Sequence, residues 1–303
     1  MVDLSVDLGF ICLKNPVIPA SGTFGYGEEF LPFFNLDLLG AFILKGIYKN
    51  KRMGNPPPRI QETPAGLLNS IGLPGPGMKE LKKIIQRVYQ STSTPIIINV
   101  CGETDQEYLD VAEYFDGMEE VAILELNISC PNVKSGGRCP AQDDKHTYRL
   151  VKQIKQSVST PIMVKLSPNV TDISAIAISA EEAGADCISL TNTFLGMALD
   201  LESRKPVFPN IVAGLSGPAI KPLALRLVWE VANNVHIPVI GMGGITTGQD
   251  VLEFILAGAT AVQIGTINLV EPAASIRIIK EIKETMEQLE IANLKELTGK
   301  LQT

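Results

Sequence analysis

Pro238-Val-Ile-Gly-Met-Gly-Gly-Ile-Thr-Thr-Gly-Gln-Asp-Val-Leu-Glu-Phe-Ile-Leu-Ala-Gly-Ala-Thr-Ala-Val-Gln-Ile-Gly-Thr266 reads as one complete strand–helix–strand unit. A proline opens a short apolar run, Pro238 to Gly241, at a position where a missing N–H costs least. Glycines then turn the chain, Gly248 to Ala257 carries apolar residues at helical spacing, and Gly258 stops the helix. Ala261 to Gly265 is a second buried run. Two apolar strands joined by a helix are parallel neighbours in a sheet covered on both faces.

Outward from this unit the same grammar repeats. Strands are expected at Pro16 to Ala20, Ala41 to Gly46, Pro95 to Val100, Ala122 to Ser129, Pro161 to Leu166 and Cys187 to Thr191. With the two above, that makes eight. Helices fit at Gly77 to Tyr89, Asp105 to Phe115, Lys145 to Ser157, Ile173 to Ala183, Ile220 to Asn233 and Pro272 to Leu289, with a shorter one near Glu28 to Asn35. Thr104-Asp105 and Thr171-Asp172 supply capping side chains, and Gly184 closes a helix as Gly258 does. Eight βα units in 303 residues predict an α/β chain folded as a (β/α)₈ TIM barrel, a single domain over 1–303, rather than an open doubly wound sheet. Leu4 to Leu13, around Gly9, reads as a small N-terminal hairpin beneath it. Two long stretches, Tyr48 to Pro76 and Phe194 to Pro218, follow strands and are expected as irregular walls of a site at the C-terminal face.

Composition narrows the partners. With 26 Lys+Arg against 33 Asp+Glu the formal charge is −7, and no basic block offers a surface for nucleic acid. The start, Val-Asp-Leu-Ser-Val-Asp-Leu, lacks the basic and apolar regions of a signal peptide, and no apolar stretch approaches the ~20 residues of a membrane helix, so a cytoplasmic protein is expected. The five cysteines form no Cys-x-x-Cys pair, which argues against a disulfide framework, a zinc site or an iron–sulfur site in this chain. No metal is expected. Cys12, Cys101 and Cys187 read as buried small hydrophobes.

The C-terminal ends of the strands hold an unusual set: Ser21, Lys45, Asn99, Asn127, Cys130, Asn132, Lys165 and Asn192, then Gly241 to Gly244 and Gly265-Thr266. Asparagine is poor in strands and an unpaired buried amide or ammonium is costly, so a ligand is expected to satisfy these groups. The two glycine sites after strands seven and eight sit where barrels hold phosphate with backbone N–H groups. Neither is a Gly-x-Gly-x-x-Gly fingerprint, so a mononucleotide suits them better than NAD. Lys45 and Lys165 could be Schiff-base nucleophiles, fixed cations facing an anion, or lysines that merely reach water; their place at the barrel mouth favours the fixed cation. Asn127-Ile-Ser-Cys-Pro-Asn-Val-Lys-Ser-Gly-Gly137 puts Cys130 between two asparagines at a strand end, before a glycine-hinged loop. His146 starts a helix and His236 falls on the opposite face, so neither readily completes a hydrolytic site. A thiol acting as general base beside a cofactor is the leading chemistry.

These residues resemble the dihydroorotate dehydrogenases, specifically the catalytic subunit of the class 1B, NAD-linked form. The resemblance runs the whole length and rests on Asn127 to Gly137, Asn69-Ser-Ile-Gly-Leu73, Thr191-Asn-Thr193 and Gly241-Met-Gly-Gly244. It implies an FMN-binding barrel that oxidises dihydroorotate to orotate in pyrimidine biosynthesis. Cys130 would be the base taking the C5 proton while hydride passes from C6 to FMN. Ser21, Lys45, Gly46, Asn99, Asn127 and Lys165 match FMN-contacting positions, as do Thr191, Gly217, Gly243, Gly244, Gly265 and Thr266. Lys45, Asn69, Ser70, Ile71, Gly72 and Leu73 match positions around orotate, with Asn127, Asn132, Asn192 and Thr193. The resemblance further implies a partner subunit carrying FAD and a [2Fe–2S] cluster, around a dimer of catalytic chains in a heterotetramer, with NAD⁺ as acceptor. Three alternatives are a fumarate-using class 1A form, another FMN-dependent pyrimidine dehydrogenase and, from a different class, a phosphate-binding barrel lyase with a Schiff-base lysine.

Overall fold

The structure is a computed structural model that describes residues 2–129 and 140–302. Its main sheet has eight parallel strands: β1 (Val17–Pro19), β2 (Phe42–Ile43), β3 (Ile96–Val100), β4 (Val121–Leu126), β5 (Ile162–Lys165), β6 (Cys187–Leu190), β7 (Val239–Met242) and β8 (Ala261–Ile264). From β2 to β8 each strand pairs with the next in the chain, with Ile97 beside Ile123 and Ile188 beside Val239, and β8 returns to β1, with Val262 beside Val17. The order β1-β8-β7-β6-β5-β4-β3-β2 leaves only β1 and β2 to meet. There Gly40, just before β2, donates its N–H to the Val17 carbonyl at 3.2 Å. Asn15 clamps the same seam: its Nδ2 donates to the Leu38 carbonyl at 2.9 Å and its Oδ1 accepts from the Val17 N–H at 3.1 Å. A Cβ on Gly40 would overlap the Asn15 carbonyl, so the close approach that joins the two edges requires glycine. The barrel expected from the unit count is the fold observed.

The helices are α1 (Met78–Tyr89), α2 (Asp105–Phe115), α3 (Asp144–Ser157), α4 (Ile173–Glu182), α5 (Lys221–Ala232), α6 (Gly248–Leu256), the short α7 (Ile267–Val270) and α8 (Ala274–Gln288). Their ends follow local chemistry. The Thr104 side chain accepts from the Glu107 N–H, and Asp172 accepts from Ala175. Strands β3 and β5 to β8 are buried along their whole length, which is why they read as continuous Ile/Val runs. The N-terminal hairpin pairs Val6–Asp7 with Cys12–Leu13 and sinks Val6, Leu8 and Leu13 into the main core.

Several expectations are corrected. The stretches Tyr48 to Pro76 and Phe194 to Pro218 are not irregular: they build a four-stranded antiparallel sheet from Ile60–Thr63, Gly66–Asn69, Phe194–Met197 and Val212–Ser216. It aligns Asn69 with Gly214. The helix expected near Glu28 to Asn35 shrinks to a single 3₁₀ turn, Glu28–Phe30. Cys12 is exposed rather than buried, because Leu13 takes the inward position of that strand. Cys101 and Cys187 are buried as expected. Burial pushes the Cys187 thiol well up, with Asp186 and Glu125 adding to it, the state of an inert thiol. Among the described residues no helix is long and apolar enough to cross a membrane.

Candidate active site

Glu125 stands fully buried one residue from the C-terminal end of β4, a carboxylate inside an otherwise apolar strand. Burying it demands donors, and three other strands of the barrel, the adjacent β3 and the more distant β6 and β8, supply one each. Asn99 of β3 donates from Nδ2 to Oε2 at 2.5 Å, Ser189 of β6 donates to Oε1 at 2.8 Å, and Gln263 of β8 donates from Nε2 to Oε1 at 2.6 Å. Lys165, the last residue of β5, is 5% exposed and places Nζ 3.8 Å from Oε2. The bland fate of a lysine, reaching out to water, is therefore not its fate here. At 3.8 Å the pair lies beyond hydrogen-bonding range, and among the described residues Lys165 Nζ makes no hydrogen bond, which leaves its donors for a ligand.

From Glu125 the hydrogen bonds climb toward the mouth. Asn127 donates from Nδ2 to Asn99 Oδ1 at 3.2 Å and holds the Ser129 hydroxyl on its own Oδ1 at 2.8 Å. Asn192 Nδ2 reaches the same Asn127 Oδ1 at 3.3 Å and also bonds the Ser129 hydroxyl. Tyr108 of α2 fixes the Asn127 carbonyl at 2.7 Å. The sequence-predicted Asn99, Asn127, Lys165 and Asn192 are thus assembled into one network that ends at Ser129, one residue before Cys130. Cys130 itself, with Asn132 and Cys139, lies outside the described residues.

The antiparallel sheet forms a wall. Asn69 donates to the Gly214 carbonyl at 3.1 Å, and Thr193 packs its side chain onto Gly214. Ser70 accepts from Asn55 Nδ2 at 3.1 Å, and the Ile71 carbonyl accepts from the Asn55 N–H at 3.0 Å. Gly72 abuts Asn55, and Leu73 reaches over Gly46, whose backbone lies against Asn99 Oδ1. Lys45 is half-buried there. Burial, and secondarily the Arg59 guanidinium, pull its ammonium below the usual lysine range against the opposing pull of Glu29. A cation placed beside a second cation favours an anionic ligand.

On the other side, the β6 and β7 ends meet: Thr191 Oγ1 is buried without a partner among the described residues and faces Gly243. Gly243 and Gly244 have positive φ, and a Cβ on either would strike α5, at Ala224 Cβ (2.6 Å) or Lys221 N (2.6 Å). Those glycines are needed for helix packing, whatever they also bind. Gly265 is different: among the described residues only Ala20 Cβ, at 3.9 Å, comes within 4 Å of its would-be side chain, which leaves room beside its backbone. Ala20 pairs with Ile264, which brings Ser21 beside it. Thr266 donates to Ser216 Oγ at 2.8 Å, and Gly217 closes against Gly66, tying this corner to the antiparallel sheet. His146 is engaged with Asp105 at 2.8 Å between α3 and α2, and His236 is exposed just before β7, opposite the mouth.

Sequence reasoning missed Glu125, Ser189 and Gln263. A signal existed: four buried strands each carry one polar residue in an apolar run, Asn99, Glu125, Ser189 and Gln263. That is the mark of a shared polar layer inside a barrel.

A closed parallel barrel with fixed cations and amides at its C-terminal strand ends is a (β/α)₈ protein with a small-molecule site. The family model described as dihydroorotate dehydrogenase matches residues 3–286, and the chain belongs to that family. It is 51% identical over 300 residues to the dihydroorotate dehydrogenase B (NAD(+)) catalytic subunit of Geobacter metallireducens, covering 99% of this chain and 98% of the relative. To the protein of that description from Bacteroides thetaiotaomicron it is 46% identical over 302 residues, with 100% coverage of each chain. A solved structure, dihydroorotate dehydrogenase from Eimeria tenella in complex with ferulenol, superposes with a TM-score of 0.83 at 22% identity, covering 98% of this chain and 88% of that one, which supports the fold.

Proposed function

We propose that this chain is the catalytic subunit of an NAD-linked dihydroorotate dehydrogenase, which oxidises dihydroorotate to orotate in pyrimidine biosynthesis with FMN as its resident cofactor. The observation that carries this reading is the hydrogen-bonded chain from Glu125 through Asn99 and Asn127 to Ser129 and Asn192, with Lys165 beside its root. It delivers amide donors and acceptors at the position that immediately precedes Cys130.

The residues present suit FMN. The unpartnered Thr191 hydroxyl, the room beside the Gly265 backbone and the Lys165 ammonium give a hydrogen-bonding group, a close approach and a fixed cation. Ser21, Gly46, Gly217, Gly243, Gly244 and Thr266 complete the candidate binding set. Bound FMN would supply a hydride acceptor. The chain's own part is to bind, orient and deprotonate the substrate. A pyrimidinedione alternates N–H donors with C=O acceptors, and Asn69, Asn127, Asn132 and Asn192 each offer one of both. Lys45 would face the substrate carboxylate, with Ser70 to Leu73 and Thr193 closing the wall. Cys130 would remove the C5 proton, and the thiolate needed is a minor species of an ordinary cysteine at pH 7. One barrel domain over 1–303 carries this site, in a cytoplasmic protein with no nucleic-acid partner.

Electrons must then leave through another protein. The chain is read as working with a subunit that carries FAD and a [2Fe–2S] cluster, arranged around a dimer of catalytic chains. Exposed apolar side chains on and beside the antiparallel sheet, Leu195, Met197, Leu199, Leu201, Ile211 and Val212, support a protein partner at that face.

The test is the flavin. The purified chain is expected to release noncovalently bound FMN, with one phosphate, and the bound flavin to bleach anaerobically on adding dihydroorotate. FAD in its place, no flavin after saturation with FMN, or bleaching by dihydrouracil but not dihydroorotate would overturn the reading.

A further inference from the structure

We propose that Glu125 is a positioning residue of the site: from inside the barrel it orients Asn99 and offsets the charge of Lys165, and so sets how strongly the site favours reduced flavin. The inference rests on the FMN reading above.

The geometry separates this role from mere core filling. Among the described residues Glu125 is the carboxylate within ion-pair range of Lys165, and the separation of 3.8 Å is too long for a hydrogen bond. Its oxygens are instead held by neutral donors, Asn99, Ser189 and Gln263, at 2.5 to 2.8 Å. The carboxylate is therefore anchored independently of the lysine, and the lysine feels its charge without having its donors consumed. In a site this buried the Coulomb effect of a fixed charge is poorly screened. The second link is mechanical. Asn99 gives its amide N–H to Glu125, which fixes its Oδ1 toward Asn127, and Asn127 in turn orients Ser129 and Asn192. Losing the carboxylate frees Asn99 to flip.

The charge has a definite sign. Lys165 stabilises the negative charge that a flavin gains on reduction, and Glu125 partly cancels that help. Glu125→Gln keeps the size and most of the hydrogen-bonding capacity and removes the charge. In the full chain saturated with FMN, the midpoint potential of the bound flavin, measured against reference dyes at fixed pH, should rise in Glu125→Gln. A tenfold change in the two-electron equilibrium, about 30 mV, is the expected scale. Lys165→Met should lower the potential, and Glu125→Gln/Lys165→Met should return it toward wild type. A purely structural residue would lower the melting temperature or FMN affinity without these opposed shifts. A potential unchanged in folded, FMN-loaded Glu125→Gln overturns the proposal. Should that variant not fold, a potential unchanged in Lys165→Met overturns it equally. A wild-type chain that takes up no FMN refutes the cofactor reading instead, so the two failures are distinguishable.

Discussion

Two side chains are expected to govern turnover, and they act on different steps. Cys130 follows the last hydrogen-bonded member of the polar chain, Ser129, and by the proposed reading takes a proton from carbon. General-base catalysis contributes roughly 10² to 10⁴ in rate. Cys130→Ala should slow single-turnover flavin reduction by that order and leave FMN and orotate bound, whereas slowing by less than about tenfold would deny the cysteine its role. Lys45 acts on binding. Burial first, then Arg59, hold its pKa below the ordinary lysine value, so the free site loses the ammonium at lower pH than a solvated lysine would. A bound carboxylate favours the charged form, so binding in that window takes up a proton. Orotate affinity should fall as pH rises through the lowered pKa, with proton uptake visible as a buffer-dependent heat in calorimetry. In Lys45→Met that pH dependence should vanish; its persistence would place the titrating group elsewhere.

At the scale of elements, the barrel strands were legible because each is a buried Ile/Val run bounded by proline or glycine, a purely local pattern. The antiparallel sheet was not. Ile60–Thr63 exposes three of its four residues, and Phe194–Met197 carries apolar residues on both faces, so neither sequence shows a polar/apolar alternation. Their pairing is also far from local, with Asn69 against Gly214. The exposure of Cys12 escapes the sequence for the opposite reason: in a two-residue strand, alternation alone decides which neighbour turns inward. The seam between β1 and β2 offers the sharpest test at this scale. Gly40→Ala would force a methyl onto the Asn15 carbonyl, where backbone meets backbone and nothing can rotate away. Overpacking of this kind costs about 1–3 kcal/mol. The melting temperature should drop by several degrees, and an unchanged value would mean the seam is looser than its hydrogen bonds indicate.

For the whole molecule, the sequence revealed which strand ends carry chemistry, but not the carboxylate beneath them, because a single Glu within Val121–Leu126 has no local meaning until four strands close around it. The sequence of the chain carries no dinucleotide fingerprint. Reducing equivalents taken from dihydroorotate need an exit. The relatives called catalytic subunits point to a second subunit, and the exposed apolar residues around Leu195 to Leu201 give a surface for contact. By the proposed reading, the isolated chain should reduce artificial dyes with dihydroorotate but reduce NAD⁺ negligibly until the proposed FAD and iron–sulfur subunit is added. Charged replacements at Leu199 and Leu201 should then distinguish contact from chemistry, leaving dye reduction intact while weakening whatever assembly this face makes. Efficient NAD⁺ reduction by the chain alone would refute the two-subunit reading, and fast fumarate reduction would move the chain to the class 1A form.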